Sequence, residues 1–271
     1  MTSLSPFGQD GPYAGYRATD LVLGALSGLV WLTGDADRAP LRMSSEQFAR
    51  HGAAEAAVHT MVALWHAATT GVGQHVDVAA WAAGIRTTMN ATDFRLLEGV
   101  ELTRAGPGIA YAPGRPRQVY ACADGHVTFM AALGPLGGPS LRFLLDQARE
   151  QGIPIPAALA DVDLVRLTYE QLDAVDGRDA FVTALEHTLG ALFRRHTKAE
   201  LYQLALERLL LLAPINTVAD LHGDAQLMAR SYWQDVDRED RGPVIYPGAW
   251  AKASATPLAP TRRAPRRGEH T

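Results

Sequence analysis

The chain has 271 residues, of which 47% are hydrophobic and 20% charged, and a net charge of -4; that length buries one large core or two modest ones, and the mild acidity lacks the electrostatic footprint of a nucleic-acid or anionic-membrane partner. Cys122 is the only cysteine, which excludes an intrachain disulfide and suits a reducing compartment. Residues 1–10 carry neither the basic nor the apolar region of a signal peptide, so the expectation is a soluble, cytoplasmic protein.

Residues 2–8 read as the tail of a strand running into a turn region punctuated by Gly8, Gly11, Pro12 and Gly15. Residues 20–31 mix apolar with small side chains, which predicts a closely packed helix; the apolar stretch 21–32 is too short and too interrupted by glycine to span a bilayer. The clearest helix covers 45–70. Ser44 or Ser45 is placed to cap its start, Gly71 its end, and Val58, Met61, Val62 and Trp65 form a helical apolar stripe. Ala53, Ala54, Ala56 and Ala57 let another backbone approach, and 75–78 alternates like a short strand.

The Gly- and Pro-rich run 106–116 predicts a connector. A hairpin follows, with strands 118–122 and 126–131 around an Asp124-Gly125 turn. The glycine run 133–138 reads as a loop. Helices are expected at 140–151, 178–195 and 197–207, the last opened by a Thr197/Glu200 capping box. Residues 209–212 predict a buried strand or helix end cut by Pro214, 220–230 a helix, and 242–247 a strand and turn. Arg262, Arg263, Arg266 and Arg267 read as a solvated tail. The expected division is 1–105, 106–213 and 214–271.

Common catalytic signatures are absent: there is no nucleophile elbow, no phosphate-cradling loop and no dinucleotide fingerprint. His51, Glu55 and His59 share one helix face at i, i+4 spacing, but not in the order of a zinc protease, so a solvated or interface face is favoured over a metal site. Cys122 sits in an apolar strand pattern, where cysteine acts as a small hydrophobe.

Several segments together resemble the family III coenzyme A transferases (CaiB/BaiF-like). They are Ser5-Pro6-Phe7-Gly8-Gln9-Asp10-Gly11-Pro12-Tyr13, Ala25-Leu26-Ser27-Gly28 with Thr33-Gly34, and Thr70-Gly71-Val72-Gly73-Gln74-His75-Val76-Asp77-Val78. Further along come Ala123-Asp124-Gly125, Ala213-Pro214-Ile215-Asn216-Thr217, Tyr246-Pro247-Gly248 and Gly268-Glu269-His270. Each motif alone is weak; their order and spacing across nearly the whole chain are not.

The resemblance implies an α/β protein: a partial family III fold with a helical large-lobe portion and a small α/β lobe, lacking the family's amino-terminal Rossmann-like half. It implies acyl-CoA and a small carboxylic acid as substrates, no tightly bound cofactor or metal, and a homo- or hetero-oligomer of interlocked chains. Gly106, Gly108 and Gly114 match a mobile glycine loop expected beside the thioester. The family's nucleophile is an aspartate on the helix before the Thr-Gly-x-Gly-Gln motif, which attacks acyl-CoA to give a mixed anhydride. Counting back from Thr70-Gly71, that position falls on Ala49, or on Phe48 with a one-residue shift. The racemase branch's histidine falls on Thr19. Glu46 and Glu55 are nearby carboxylates expected to face elsewhere on the helix. The leading expectation is a transferase part that needs an Asp-bearing partner; the alternatives are a non-catalytic scaffold, or an enzyme using Glu46 or Glu55.

Overall fold

Strand β1 (Thr2–Ser5) lies parallel to β2 (Val76–Ala79), with Thr2 opposite Val76 and Ser5 opposite Ala79. Parallel strands need a long crossover, and here it is built from α1 (Asp20–Leu26), α2 (Leu29–Leu32) and α3 (Phe48–Thr70). The computed structural model describes residues 1–108, 116–168, 171–172, 177–238, 242–258 and 264–269. It divides into two compact units, Met1–Ala213 and Pro214–Thr271.

The helix expected at 20–31 is broken in two. Gly28 adopts φ 83°, a left-handed conformation that ends α1 and restarts the chain as α2. The long helix α3 begins at Phe48 and ends at Gly71, whose φ of 77° lets its N–H reach the Ala67 carbonyl. Its start differs from expectation because neither Ser44 nor Ser45 caps it. Asp20, on α1, does so instead: its carboxylate accepts from the Gln47 N–H at 3.0 and 3.1 Å and from the Phe48 N–H at 2.7 Å.

Only Phe48 and Gly52 of α3 are buried. Gly52 is a close-approach position: a Cβ there would lie 2.8 Å from the Leu4 side chain and 3.1 Å from the Ala80 Cα. The predicted stripe faces outward, with Met61 65% and Trp65 73% exposed. From β2 the chain continues through α4 (Ala80–Ile85), a tight turn (Arg86–Thr88), α5 (Met89–Asp93) and a π-helical turn (Phe94–Glu98).

The larger core forms around the hairpin of β3 (Val119–Cys122) and β4 (Gly125–Phe129), with β5 (Leu212–Pro214) beside β4. Helices α6 (Gly134–Glu150), α7 (Ala157–Ala160), α8 (Arg178–Phe193) and α9 (Lys198–Arg208) pack with it. The glycine run is not a loop. It is the first turn of α6, because Cβ atoms at Gly137 and Gly138 would fall 2.3 Å from the carbonyl oxygens of Ala132 and Leu164. The Thr197/Glu200 capping box forms as expected. At the centre Phe193 meets Tyr120 and Phe129 edge-on, at 5.3 and 5.8 Å between ring centroids.

In the second unit, two short helices, α10 (Val218–His222) and α11 (Ala225–Ala229), replace the single one expected. Thr217 and Asp224 cap them separately. β7 (Gly242–Pro247) pairs antiparallel with β6 (Trp233–Arg238), a strand that the sequence did not announce. Among the described residues no helix is long and apolar enough to cross a membrane.

Phe193 is fully buried. Phe193→Ala should cost about 3–5 kcal/mol and Thr197→Ala about 1 kcal/mol, both read from urea unfolding midpoints at unchanged m-value.

Candidate functional site

Phe48 opens α3 and is 1% exposed. Its ring packs with Leu23 and Ala80 and presses on two glycines. A Cβ at Gly84 would sit 2.1 Å from Phe48 Cδ1, and one at Gly24 would sit 3.4 Å from Phe48 Cε2. Ala49, the next residue, is exposed. Of the two positions that the family pattern assigns to the nucleophile, one is a core ring and the other a methyl group in solvent.

A cleft of about 290 Å³ opens beside that ring. Leu21, Gly24, Val30, Met43 and Phe48 supply its apolar walls; Thr19, Asp20, Arg42, Ser45 and Glu46 supply its polar groups. Thr19, the expected racemase-branch position, and Phe48, the one-residue-shift alternative to Ala49, both line this cleft, whereas Ala49 does not. The Asp20 carboxylate in this cleft is occupied by the Gln47 and Phe48 N–H groups, which also places it at the positive end of α3.

Glu46 and Glu55 separate clearly. Because α3 starts at Phe48, Glu46 precedes the helix and lines the same cleft, contrary to the expectation that it faces elsewhere. Glu55 lies in another groove, of about 260 Å³, with His59, Asp77 and Arg86. There Arg86 Nη1 donates to Glu55 Oε1 at 2.6 Å, and His59 Nδ1 lies 3.6 Å from Glu55 Oε2. The His51, Glu55 and His59 face does not close into a chelate: among the described residues no three metal-ligating side chains converge.

Gly106 takes φ 54°, and its N–H donates to the Gly34 carbonyl at 3.0 Å. The Gly108 N–H donates to the Ala105 carbonyl at 2.9 Å, closing a turn. Arg104, just before, stacks its guanidinium 4.8 Å above the Trp31 ring and donates to the Asp35 carbonyl. This turn packs on the loop after α2 and does not line the Thr19–Phe48 cleft. Gly114 lies outside the described residues. Cys122 is buried and donates to Asp124 Oδ1 at 3.5 Å; desolvation is the main cause pushing its thiol above the usual range. It rests as a protonated thiol. Asp124 is held below the usual carboxylate range, chiefly by the Lys198 N–H.

Sequence reasoning missed Asp20 and Arg42. An aspartate at the first residue of a helix reads as an ordinary first-turn acid, and its service to a second helix leaves no local signal. Arg42 sits in an irregular loop with no periodicity to assign it a face.

The sequence profile of CoA-transferase family III matches residues 1–271. The chain is 33% identical to the succinyl-CoA:(R)-benzylsuccinate CoA-transferase subunit BbsE of Thauera aromatica, over 100% of this chain and 63% of that protein. It is 28% identical to the succinate–glutarate CoA-transferase of Agrobacterium fabrum, over 99% and 62%. The alpha subunit of the succinyl-CoA–L-malate CoA-transferase of Chloroflexus aurantiacus is 25% identical, over 100% and 59%. The chain thus spans less than two thirds of each of these relatives. Among solved structures, a CaiB/BaiF family protein from Brucella suis superposes with a TM-score of 0.76 at 24% identity, over 99% of this chain and 65% of that one.

The contact of Phe48 with Gly84 yields a test. Gly84→Ala forces a methyl group into the ring and should cost about 1–3 kcal/mol. In a Phe48→Ala background the same change should cost less than half as much, because the two sites share one space. Equal costs in both backgrounds, from denaturant unfolding, would show that the ring yields freely.

Proposed function

We propose, because this chain belongs to CoA-transferase family III, that it serves a reaction moving CoA between an acyl-CoA and a carboxylic acid, with an aspartate nucleophile supplied by a partner half or chain. The observation that carries the proposal is the pairing of a retained cleft with a lost nucleophile. Thr19 and Phe48 line one cavity, yet positions 48 and 49 hold a ring and a methyl group. Neither attacks a thioester. A carboxylate from elsewhere must reach the thioester carbon, form the anhydride and release CoA thiolate.

The relatives support both parts of this reading. Two of them are described as subunits, and the names of the three include succinyl-CoA, which keeps one free carboxylate beside its thioester, and the dicarboxylic acids benzylsuccinate, glutarate and malate. Substrates of that class fit the reading, with CoA thioesters as substrates rather than resident cofactors. In this arrangement residues 1–105 are a large-lobe portion, 106–213 the small α/β lobe and 214–271 a return segment. Gly106, Gly108 and Gly114 then belong to a loop beside the thioester, and the turn at 105–108 is short enough in side chains to allow it.

The outward face of α3 supports a partner chain. Val58, Met61, Val62 and Trp65 are each more than half exposed on one helix, more apolar surface than water-facing helices normally show. Sedimentation velocity at micromolar concentration should find an oligomer, or a monomer that assembles with an Asp-bearing family member. A compact monomer indifferent to such a partner counts against the reading.

The chemistry has its own test. The chain alone, incubated with succinyl-CoA and examined by intact mass, should form no covalent adduct. Ala49→Asp, with a Rossmann-like half supplied in trans, should gain an adduct at residue 49. Phe48→Asp buries a carboxylate against Leu23 and Ala80 and should lose stability first. Turnover by the unaltered chain that disappears in Glu46→Gln would make Glu46 the nucleophile and remove the need for a partner. Neither turnover nor an adduct under any of these conditions would leave a non-catalytic scaffold.

A further inference from the structure

Arg42 is the only cation lining the Thr19–Phe48 cleft among the described residues. Its Nε donates to the Met43 carbonyl at 3.3 Å, and its guanidinium has no carboxylate partner among those residues. The two acids that share the cleft do not neutralise it. Asp20 is committed to the backbone of α3, and Glu46 lies beyond ion-pair distance of Arg42. A planar guanidinium with free donors takes a carboxylate through two parallel N–H bonds.

Size and walls narrow the guest. A cavity of about 290 Å³ lies at the small end of ligand sites, which run from about 300 to 1,000 Å³. It accommodates a short acyl chain, not a nucleotide. Leu21, Val30, Met43 and Phe48 offer methylene-compatible surface in the same cleft.

We propose that this cleft takes the acyl group of a short dicarboxylic acid, with the distal carboxylate on Arg42. The charges also favour a guest with a single free carboxylate. Asp20 and Glu46 repel a second carboxylate, so the guest is favoured when its other end is neutral. A dicarboxylic acid joined to CoA has that form: one free carboxylate and one uncharged thioester. The cleft therefore prefers the acyl-CoA form of such an acid to the free diacid. The identity of the thioester rests on the CoA-transfer reading; the anion subsite does not.

The test uses small esters, so CoA chemistry does not enter. Monomethyl succinate carries one carboxylate and one neutral ester; methyl butyrate has the same chain length with a methyl group in place of the carboxylate. Binding to the purified chain is followed by NMR titration of amide and methyl shifts. Monomethyl succinate should bind about tenfold or more tighter than methyl butyrate, the factor expected of a charged hydrogen-bonded pair. Arg42→Gln, at an exposed position, should erase that preference without changing the unfolding midpoint. Glu46→Gln should tighten free succinate more than monomethyl succinate. Equal binding of the two esters, no detectable binding of either, or a preference that survives in Arg42→Gln overturns the proposal. A preference that depends on Arg42, in a chain that shows no CoA chemistry with any partner, upholds the subsite and sinks the transferase reading instead.

Discussion

The clamp of Asp20 on the start of α3 is the contact on which the first half of the molecule depends. One carboxylate, on the first residue of α1, satisfies two N–H groups that the helix itself cannot. Caps of this kind contribute about 1 kcal/mol, which is modest against a domain's stability, but the geometric consequence is larger. Fixing where α3 begins fixes the phase of the whole helix. That phase turns Phe48 and Gly52 inward, so that Gly52 meets Leu4 of β1 and Ala80 of α4. It also leaves Glu46 outside the helix, in the cleft, instead of one turn along it.

The same clamp shapes the cleft beside Phe48. Phe48 is anchored by its backbone to Asp20 and by its ring to Gly24 and to Gly84, which is bare where any side chain would collide. The ring forms one wall of the cavity rather than filling it. The remaining walls come from α1, α2 and the loop carrying Arg42 and Met43, and none of these depends on the chemistry of residues 48 or 49.

How much was legible in the sequence follows from the range of the forces involved. The Thr197/Glu200 capping box and the Asp124-Gly125 hairpin are settled within a few residues, and both stand where the sequence put them. The motif series across the chain pointed to the family, which the sequence profile and the relatives bear out. The failures are contacts at a distance. The glycine run at 133–138 looked like a loop because composition does not reveal that Ala132 and Leu164 press against it. The start of α3 was misread because its cap comes from a residue 27 positions away. Strand β6 escaped because Trp233–Arg238 has mixed polarity and gains its definition from β7. At the site, Thr19 and Phe48 were picked out by pattern, whereas Arg42 and Asp20 emerged only from geometry.

Helix α3 ends this line of reasoning, because its two faces make opposite demands. An amphipathic helix concentrates its apolar residues on the side it buries, yet α3 shows large apolar side chains on the side turned to water, and its buried contacts are made by a glycine and one ring. Alanines along its length permit close backbone approach, and they too are largely outward-facing. A helix of this composition gains little from the core it touches, about the burial of one aromatic ring, or 1.5–3 kcal/mol. Most of the apolar surface it carries is stabilising only when a second surface covers it. The Asp20 clamp and the Gly52 contact thus hold one end of α3 in register with the cleft, while its exposed length presents an uncovered apolar face. The cleft wall at Phe48 and the uncovered apolar face are therefore consequences of one helix.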